Sequence, residues 1–288
     1  MKVKSFAKIN LGLEILGKRE DGFHQVRTLL QSINLFDILN FRSLEDGAVE
    51  VSGDDDSVPW DESNLIFKAA VLFKKRYDVR KGVEIKVQKR IPPGKGLGGG
   101  SSNAAMTLYA LNKMWNMALS RKEMLSLSRR LGADVFYFLE GGLCLGEERG
   151  ELITPLNDLD SHACVLIFPP LQLSTARVYQ QGTMSLTSEG KDSKINKFLK
   201  NGELGSLENQ LEKTVFDLYP QLKDIKEALL REGADLSLVS GSGSAIFGIY
   251  SDKEKAKAAG KEWRGKGRLT LVMTLNRKNY WEDIRVGV

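Results

Sequence analysis

The chain has 288 residues, 42% of them hydrophobic, with 42 lysines and arginines against 37 acidic residues and a net charge of +5. That is enough apolar material for one large or two modest cores, which excludes a disordered chain. The charge bias suits an anionic small ligand but is too mild for coating nucleic acid. The two cysteines, Cys144 and Cys164, lie in apolar runs with no second pair to build a disulfide framework or metal cluster, so both are expected to be free, buried thiols in a reducing cytoplasm. No run approaches the ~20 apolar residues that span a bilayer, and the opening segment alternates rather than forming a signal-peptide block. A cytoplasmic protein outside the membrane is therefore expected.

In chain order, Ile9, Leu11, Leu13 and Ile15 alternate with Lys8, Asn10, Gly12 and Glu14, the period of a half-buried strand with Lys8 and Asn10 on the face away from the core. After the turn-like KREDGFH, a second extended region, VRTLLQSINLFDILNF, runs into a polar stretch. Its three aspartates, Asp54 to Asp56, sit among Gly, Ser and Pro and read as a solvated loop. ESNLIFKAAVLFKKRY carries helical spacing with basic residues at its far end, where they complement the helix dipole, and Asn64 is placed to cap it. VEIKVQKRI alternates as a strand. The glycine run then leads into a helix expected to start at Ser101, with Ala105, Leu108, Leu111 and Trp115 on one face. Ser120 and Glu123 form a capping box for a further helix, stopped at Gly132, with Asp134 just beyond.

In the second half, ACVLIFPP reads as a buried strand and NQLEKTVFDLYPQLKDIKEALLREG as helical. LSLVSGSGSAIFGIY reads as a hairpin around a Gly/Ser turn, KEKAKAAGKEWRG as a charged helix, and RLTLVMTL as a last strand. Helices mixed with alternating strands, without a regular strand–helix–strand rhythm, indicate an α+β class. A composition change near Leu152 to Pro155 is the candidate domain boundary.

The stretch GKGLGGGSSNAA, Gly94 to Ala105, admits four readings. A P-loop needs its lysine after the glycines, and Lys95 precedes most of them. Gly260 to Lys266 is a near miss in a charged helix, with Gly267 where the hydroxyl should be. Gly94-x-Gly96-x-x-Gly99 formally matches a dinucleotide fingerprint, yet two helices follow where a second parallel strand is required. A protein-kinase loop should come with V-A-I-K, H-R-D and D-F-G, all missing. The fourth reading is physical. A strand delivers side-chain-free backbone onto a helix N-terminus, where unpaired N–H groups and the positive dipole end receive phosphate, with Ser101 and Ser102 as extra donors.

The run PPGKGLGGGSSNAA resembles the phosphate-binding motif of the GHMP kinase superfamily. FAKINLGLEILGKREDGFHQVRTL, LGADVFYFLEGG and VSGSGSAIFGIY resemble, in the same order, the motifs of the branch whose acceptor is a cytidine-diphosphate-linked alcohol. The similarity runs from Ser5 to about Tyr250. It implies a two-domain fold, with an ATP-binding domain at 1–154 like that of a ribosomal protein and an α/β-sandwich-like domain at 155–288. It also implies transfer of the γ-phosphate of ATP, with Mg2+, to the tertiary 2-hydroxyl of 4-diphosphocytidyl-2-C-methylerythritol.

By matching positions, Lys8 and Asp134 would be the catalytic pair. ATP would lie on Pro92, Pro93 and Gly94 where the chain enters the loop, on Lys95, Gly96, Leu97 and Gly98 across it, and on Gly99, Gly100, Ser101 and Ser102 at the helix, with Asn64 on the adenine side. The cytidine end would meet Asn10, Phe23, His24, Thr175 and Tyr179, with the histidine bonding the base and the aromatic rings on its faces. Magnesium ligands are not identified. Phe136 stands where the motif carries proline, leaving the direction of Asp134 open. Two other readings stay open: a GHMP-type kinase with a mevalonate, homoserine or sugar acceptor, and an RNA-binding module drawing on the nine Lys or Arg between residues 74 and 95.

Overall fold

The computed structural model describes residues 1–181, 193–262 and 268–284. Two long strands organise the first half: β1 (Lys2–Lys18) and β2 (His24–Leu44) pair antiparallel from Lys2 opposite Asn40 to Lys18 opposite His24. On its other edge β2 meets β4 (Gly82–Gln88) and then β5 (Leu143–Glu147). β3 (Val49–Gly53) extends the sheet in parallel beside β4, and β6 (Leu152–Pro155) extends it beside β5. The second sheet is antiparallel, in the order β10 (Arg268–Met273), β7 (Ala163–Phe168), β9 (Ile246–Tyr250), β8 (Leu236–Val239). β8 and β9 form the expected hairpin.

Burial sorts these elements into four layers. Helices α1 (Leu65–Tyr77), α2 (Gly99–Met114) and α3 (Arg121–Arg129) cover one face of the first sheet through Phe73, Leu108, Leu111 and Leu127. Between the sheets, Ala7, Ile9, Leu11 and Leu29 pack on Leu166, Leu238, Phe247 and Ile249. Ile195 and Phe198 of α5 (Lys194–Asn201) join the inter-sheet core, and behind the second sheet Val178 of α4 (Thr175–Gln181), Val215 of α6 (Glu212–Leu218), Leu222 and Leu229 of α7 (Gln221–Arg231) and Ala256 and Ala259 of α8 (Lys253–Glu262) close the last core. Two helical layers around two sheets make the α+β class plain.

Several expectations change. β1 is not half-buried, because Lys8 and Asn10 are each only 4% exposed. The face turned from the core looks into a cleft rather than into solvent. α2 begins at Gly99, two residues before the serines, and is buried nearly all round, its small residues fitting a tight slot. The last strand of the first sheet ends at Pro155 and the second sheet starts at Ala163, but the partition is not clean: α9 (Arg277–Ile284), which carries no strong sequence signal, returns to bury Tyr280 and Ile284 in the first core. The expected capping box forms at Ser120 and the expected cap at Asn64. Residues 263–267, which include the end of the charged-helix stretch and part of the P-loop near miss, lie outside the described residues.

Candidate active site

The glycine loop is pinned at both ends before it is free to hold anything. Asp37 on β2 is fully buried, and its carboxylate accepts from Lys89 Nζ at 2.7 Å, Arg90 N at 2.7 Å and Ile91 N at 2.8 Å, fixing the chain as it leaves β4. Ile91 and Leu97 then plug the inter-sheet core, and Lys8 N donates to Leu97 O at 3.0 Å. Gly94, Gly96 and Gly98 all take left-handed φ. Two of them also admit no side chain: a Cβ at Gly96 would lie 2.0 Å from Ser240 O, and one at Gly98 would lie 2.7 Å from the Phe138 ring. Gly100 faces open space, with Leu65 Cδ1 nearest at 3.8 Å. No side chain caps the N-terminus of α2, and no acidic residue sits in its first turn, so its amides and dipole remain open to an anion.

Three cavities join in succession through shared lining residues, the first two along this loop and the third beyond it. The first, about 350 Å3, is bounded by Gly94 to Ser101 with Pro92 and Pro93 and walled by Val58, Trp60 and Leu65. The second, about 230 Å3, shares Gly96 and Gly98 with it and holds Lys8, Asn10 and Asp134. The third, about 450 Å3, contains Phe23, His24, Thr175 and Tyr179. Apart from Ser102, the expected site residues, drawn from both halves of the chain, thus line one or another of these cavities.

Lys8 Nζ lies 3.6 Å from Asp134 Oδ2 and donates to Asn10 Oδ1 at 2.5 Å. Asn10 in turn donates to Thr28 Oγ1, whose hydroxyl donates to Gly12 O, both at 2.8 Å, so the amide cannot flip without breaking the chain. Breaks in the β1–β2 register after Phe6 and after Asn10 flank this segment, bulge-like irregularities of the kind that re-aim side chains. Burial pulls the Lys8 ammonium below the ordinary lysine value, and Asp134 acts in the opposite sense. Because the charged form is the functional one, the alkaline limb of kcat/KM is expected below pH 10.5, the unperturbed lysine value. A pH–rate profile flat through that value would contradict the assignment. Phe136, in place of proline, has φ −67°, an angle that proline also takes.

Two side chains, those of Ser102 and Lys95, behave otherwise than expected. Ser102 Oγ donates to Phe6 O at 2.6 Å and accepts from Ser5 Oγ at 2.7 Å in a fully buried position, so it faces the interior and offers phosphate no hydroxyl. Lys95 lines the first cavity, but its Nζ donates to Pro169 O at 2.9 Å, to Leu171 O and to Ser244 Oγ at 3.0 Å, stapling the loop to the second half. Asn64 lines the first cavity as expected while its amide accepts from Ile66 N at 2.9 Å and donates to Pro59 O at 2.7 Å, and Trp60 adds a broad apolar wall that the sequence reading missed. A buried strand acid such as Asp37 and a tryptophan next to a proline were the available signals.

The third cavity contains the expected aromatic set in a different contact. Tyr179 and His24 rings lie against each other, centroids 5.2 Å apart at 31°, while Phe23 is 56% exposed beneath the Arg149 guanidinium. Burial, with Lys18 nearby, lowers the His24 pKa, so at neutral pH the imidazole keeps one donor and one acceptor. Burial, with Asp134 adding to it, pushes Tyr179 up to about 12, leaving it a neutral ring. Thr175 Oγ1 is tied to Ser242 Oγ at 2.8 Å. The Gly/Ser turn it joins is itself held by Ser240 Oγ donating to Gly96 O at 2.9 Å.

Comparison with known proteins shows the family to which this fold belongs. The model of the GHMP kinases N-terminal domain matches residues 64–142 and that of the GHMP kinases C-terminal domain matches 194–269. Fold and cleft define a GHMP kinase. The 4-diphosphocytidyl-2-C-methyl-D-erythritol kinase of Alkaliphilus metalliredigens is 36% identical over 264 residues, covering 90% of this chain and 91% of that one. The enzyme of the same name from Thermoanaerobacter pseudethanolicus is 39% identical, covering 90% of each chain. A crystal structure of 4-(cytidine 5'-diphospho)-2C-methyl-D-erythritol kinase superposes with a TM-score of 0.81 at 34% identity over 95% of this chain and 99% of that one. The chain belongs to the 4-diphosphocytidyl-2-C-methyl-D-erythritol kinase family. Homoserine kinase from Cytophaga hutchinsonii shares the fold, with a TM-score of 0.75 at 21% identity over 97% of this chain and 96% of that one. Acceptor choice therefore rests on the site and not on the architecture. Among the described residues no helix is long and apolar enough to cross a membrane.

Proposed function

We infer that the protein transfers the γ-phosphoryl group of ATP to the 2-hydroxyl of 4-diphosphocytidyl-2-C-methyl-D-erythritol, giving the 2-phosphate and ADP. The observation that carries this reading is the position of the Lys8–Asp134 pair, between the glycine-loop cavity and the cavity of Phe23, His24 and Tyr179. ATP lies along the loop, with adenine against Trp60 and the phosphates at the open amides of α2. The cytosine occupies the aromatic cavity, where neutral His24 provides direction and Phe23 a stacking face. Its alcohol end then reaches the pair.

The acceptor oxygen attacks the γ-phosphorus as the bond to the β-bridging oxygen breaks. The hydroxyl proton passes to Asp134, and the Lys8 ammonium stabilises both the carboxylate and the developing alkoxide. A tertiary alcohol is a weak, crowded nucleophile, so holding it in line accounts for much of the rate. ATP enters with magnesium. Among the described residues no group of three His, Cys, Asp or Glu side chains could hold a metal, and the Ser101 hydroxyl and the partly exposed Asp134 carboxylate, which line adjoining cavities, are the residues that would hold the ion. Two such oxygen ligands completed by phosphate oxygens suit this ion, which would neutralise charge on the transferred group.

Incubation with Mg-ATP and a panel of acceptors is expected to release ADP with the cytidine-diphosphate alcohol and not with mevalonate, homoserine or a hexose. CDP alone is expected to raise Tm by on the order of 5 °C at a hundredfold excess over its Kd. Turnover of one of the other acceptors with no shift from CDP would reject the cytidine reading and keep the kinase.

A further inference from the structure

The acceptor attributed above carries two negative charges between its base and its alcohol, and neither the helix terminus nor the aromatic cavity accounts for them. Four described residues line both the second and third cavities: Val26, Arg149, Thr175 and Tyr179. Arg149 alone among them is charged. It stands on the turn between β5 and β6, where Val26 N donates to Glu148 O at 2.6 Å and Gly150 N to Glu147 O at 2.9 Å, so the turn is tied to β2 and closed on itself. A Cβ at the next residue, Gly150, would lie 3.8 Å from Asp134 Oδ1. In the other direction the Arg149 guanidinium lies 5.0 Å from the centre of the Phe23 ring. Arg149 therefore lines both the cavity of the reacting end and that of the base end, with its guanidinium on the base side.

Its hydrogen-bonding capacity is largely unspent. Nε is 3.4 Å from Glu151 Oε1, and among the described residues no hydrogen bond engages either terminal nitrogen. The neighbouring cation, Arg19, is by contrast committed to Asp21 and Glu148. A planar fork with two free donor nitrogens matches phosphate oxygens in a way that a lysine or a polar side chain cannot.

We propose that Arg149 binds the diphosphate of the acceptor and so sets the distance between the held base and the reacting hydroxyl. The proposal rests on the cytidine reading of the third cavity. It makes Arg149 a residue that discriminates a nucleoside diphosphate ester from a nucleoside.

The test is calorimetric binding of CDP and of cytidine to the whole protein, with KM values for ATP and for the acceptor, in the wild type, Arg149→Ala and Arg149→Lys. Arg149→Ala is expected to weaken CDP and raise the acceptor KM roughly 10–100-fold, the effect of losing charge-assisted hydrogen bonds. Cytidine affinity and the ATP KM should stay within about twofold, and lysine should restore part of the loss by charge alone. Unchanged CDP affinity would overturn the proposal. So would an equal loss for CDP and cytidine, which would mean that Arg149 only props Phe23. If the wild type bound neither CDP nor cytidine, the cytidine pocket itself would fall, a result distinct from both.

Discussion

Asp134→Asn is expected to lower kcat by roughly 10²–10⁴-fold, the usual worth of a positioned proton acceptor, while KM for ATP and Tm change little. The substitution keeps shape and removes charge. Asp134 has a partly exposed side chain in a turn and makes one ion pair at 3.6 Å, so its contribution to stability is small. Its contribution to chemistry is larger because the partner is not exposed. Lys8 is buried, its charge opposed by desolvation and supported by Asp134, so removing the carboxylate both deletes the proton acceptor and discourages the ammonium that steadies the alkoxide. Single-turnover measurement of phosphoryl transfer separates this from slow product release. Wild-type single-turnover rates in Asp134→Asn would sink the assignment of the pair.

Gly96→Ala is expected to cost roughly 3–5 kcal/mol of stability, a fall in Tm of roughly 6–20 °C at 2–4 °C per kcal/mol. The residue has φ +77°, which disfavours any Cβ, and that atom would meet the Ser240 carbonyl oxygen at 2.0 Å. The obstacle is backbone, so no rotamer change relieves it. Gly100→Ala provides the contrast. Its nearest atom is Leu65 Cδ1 at 3.8 Å, so the protein should fold normally and instead show an ATP KM raised roughly tenfold as a methyl enters the phosphate approach. Thermal melts and ATP titration of the two variants distinguish a glycine needed for packing from one needed for ligand access. A wild-type Tm for Gly96→Ala would show that the loop and the Gly/Ser turn do not meet as described.

The contrast also explains why the glycine run was so legible. Its density served two demands at once, contact with Ser240 and Phe138 on the inside and access to an open helix terminus on the outside, and both ask for the same residue. Where demands differ, the sequence is silent. Ser101 and Ser102 are identical neighbours, yet Ser101 lines the cavity while Ser102 is fully buried against Phe6 and Ser5, because successive helical side chains point about 100° apart. Lys95 sits inside the motif, but its ammonium goes to carbonyls more than 70 residues away.

The sequence by itself determined what depends on neighbouring residues: the alternation of β1 and β4, the cap at Ser120, the hairpin around residues 240–245, and the loop whose glycines announce an anion site. These follow from backbone preferences and short-range periodicity, which a linear chain displays directly. Only the tertiary structure decided that Lys8 is buried and faces Asp134, that α9 closes the first core, and that Arg149 stands between Asp134 and Phe23. Burial and charge pairing belong to segments that meet in space, here up to 274 residues apart for Phe6 and Tyr280, and packing brings them together on energies that no single segment carries.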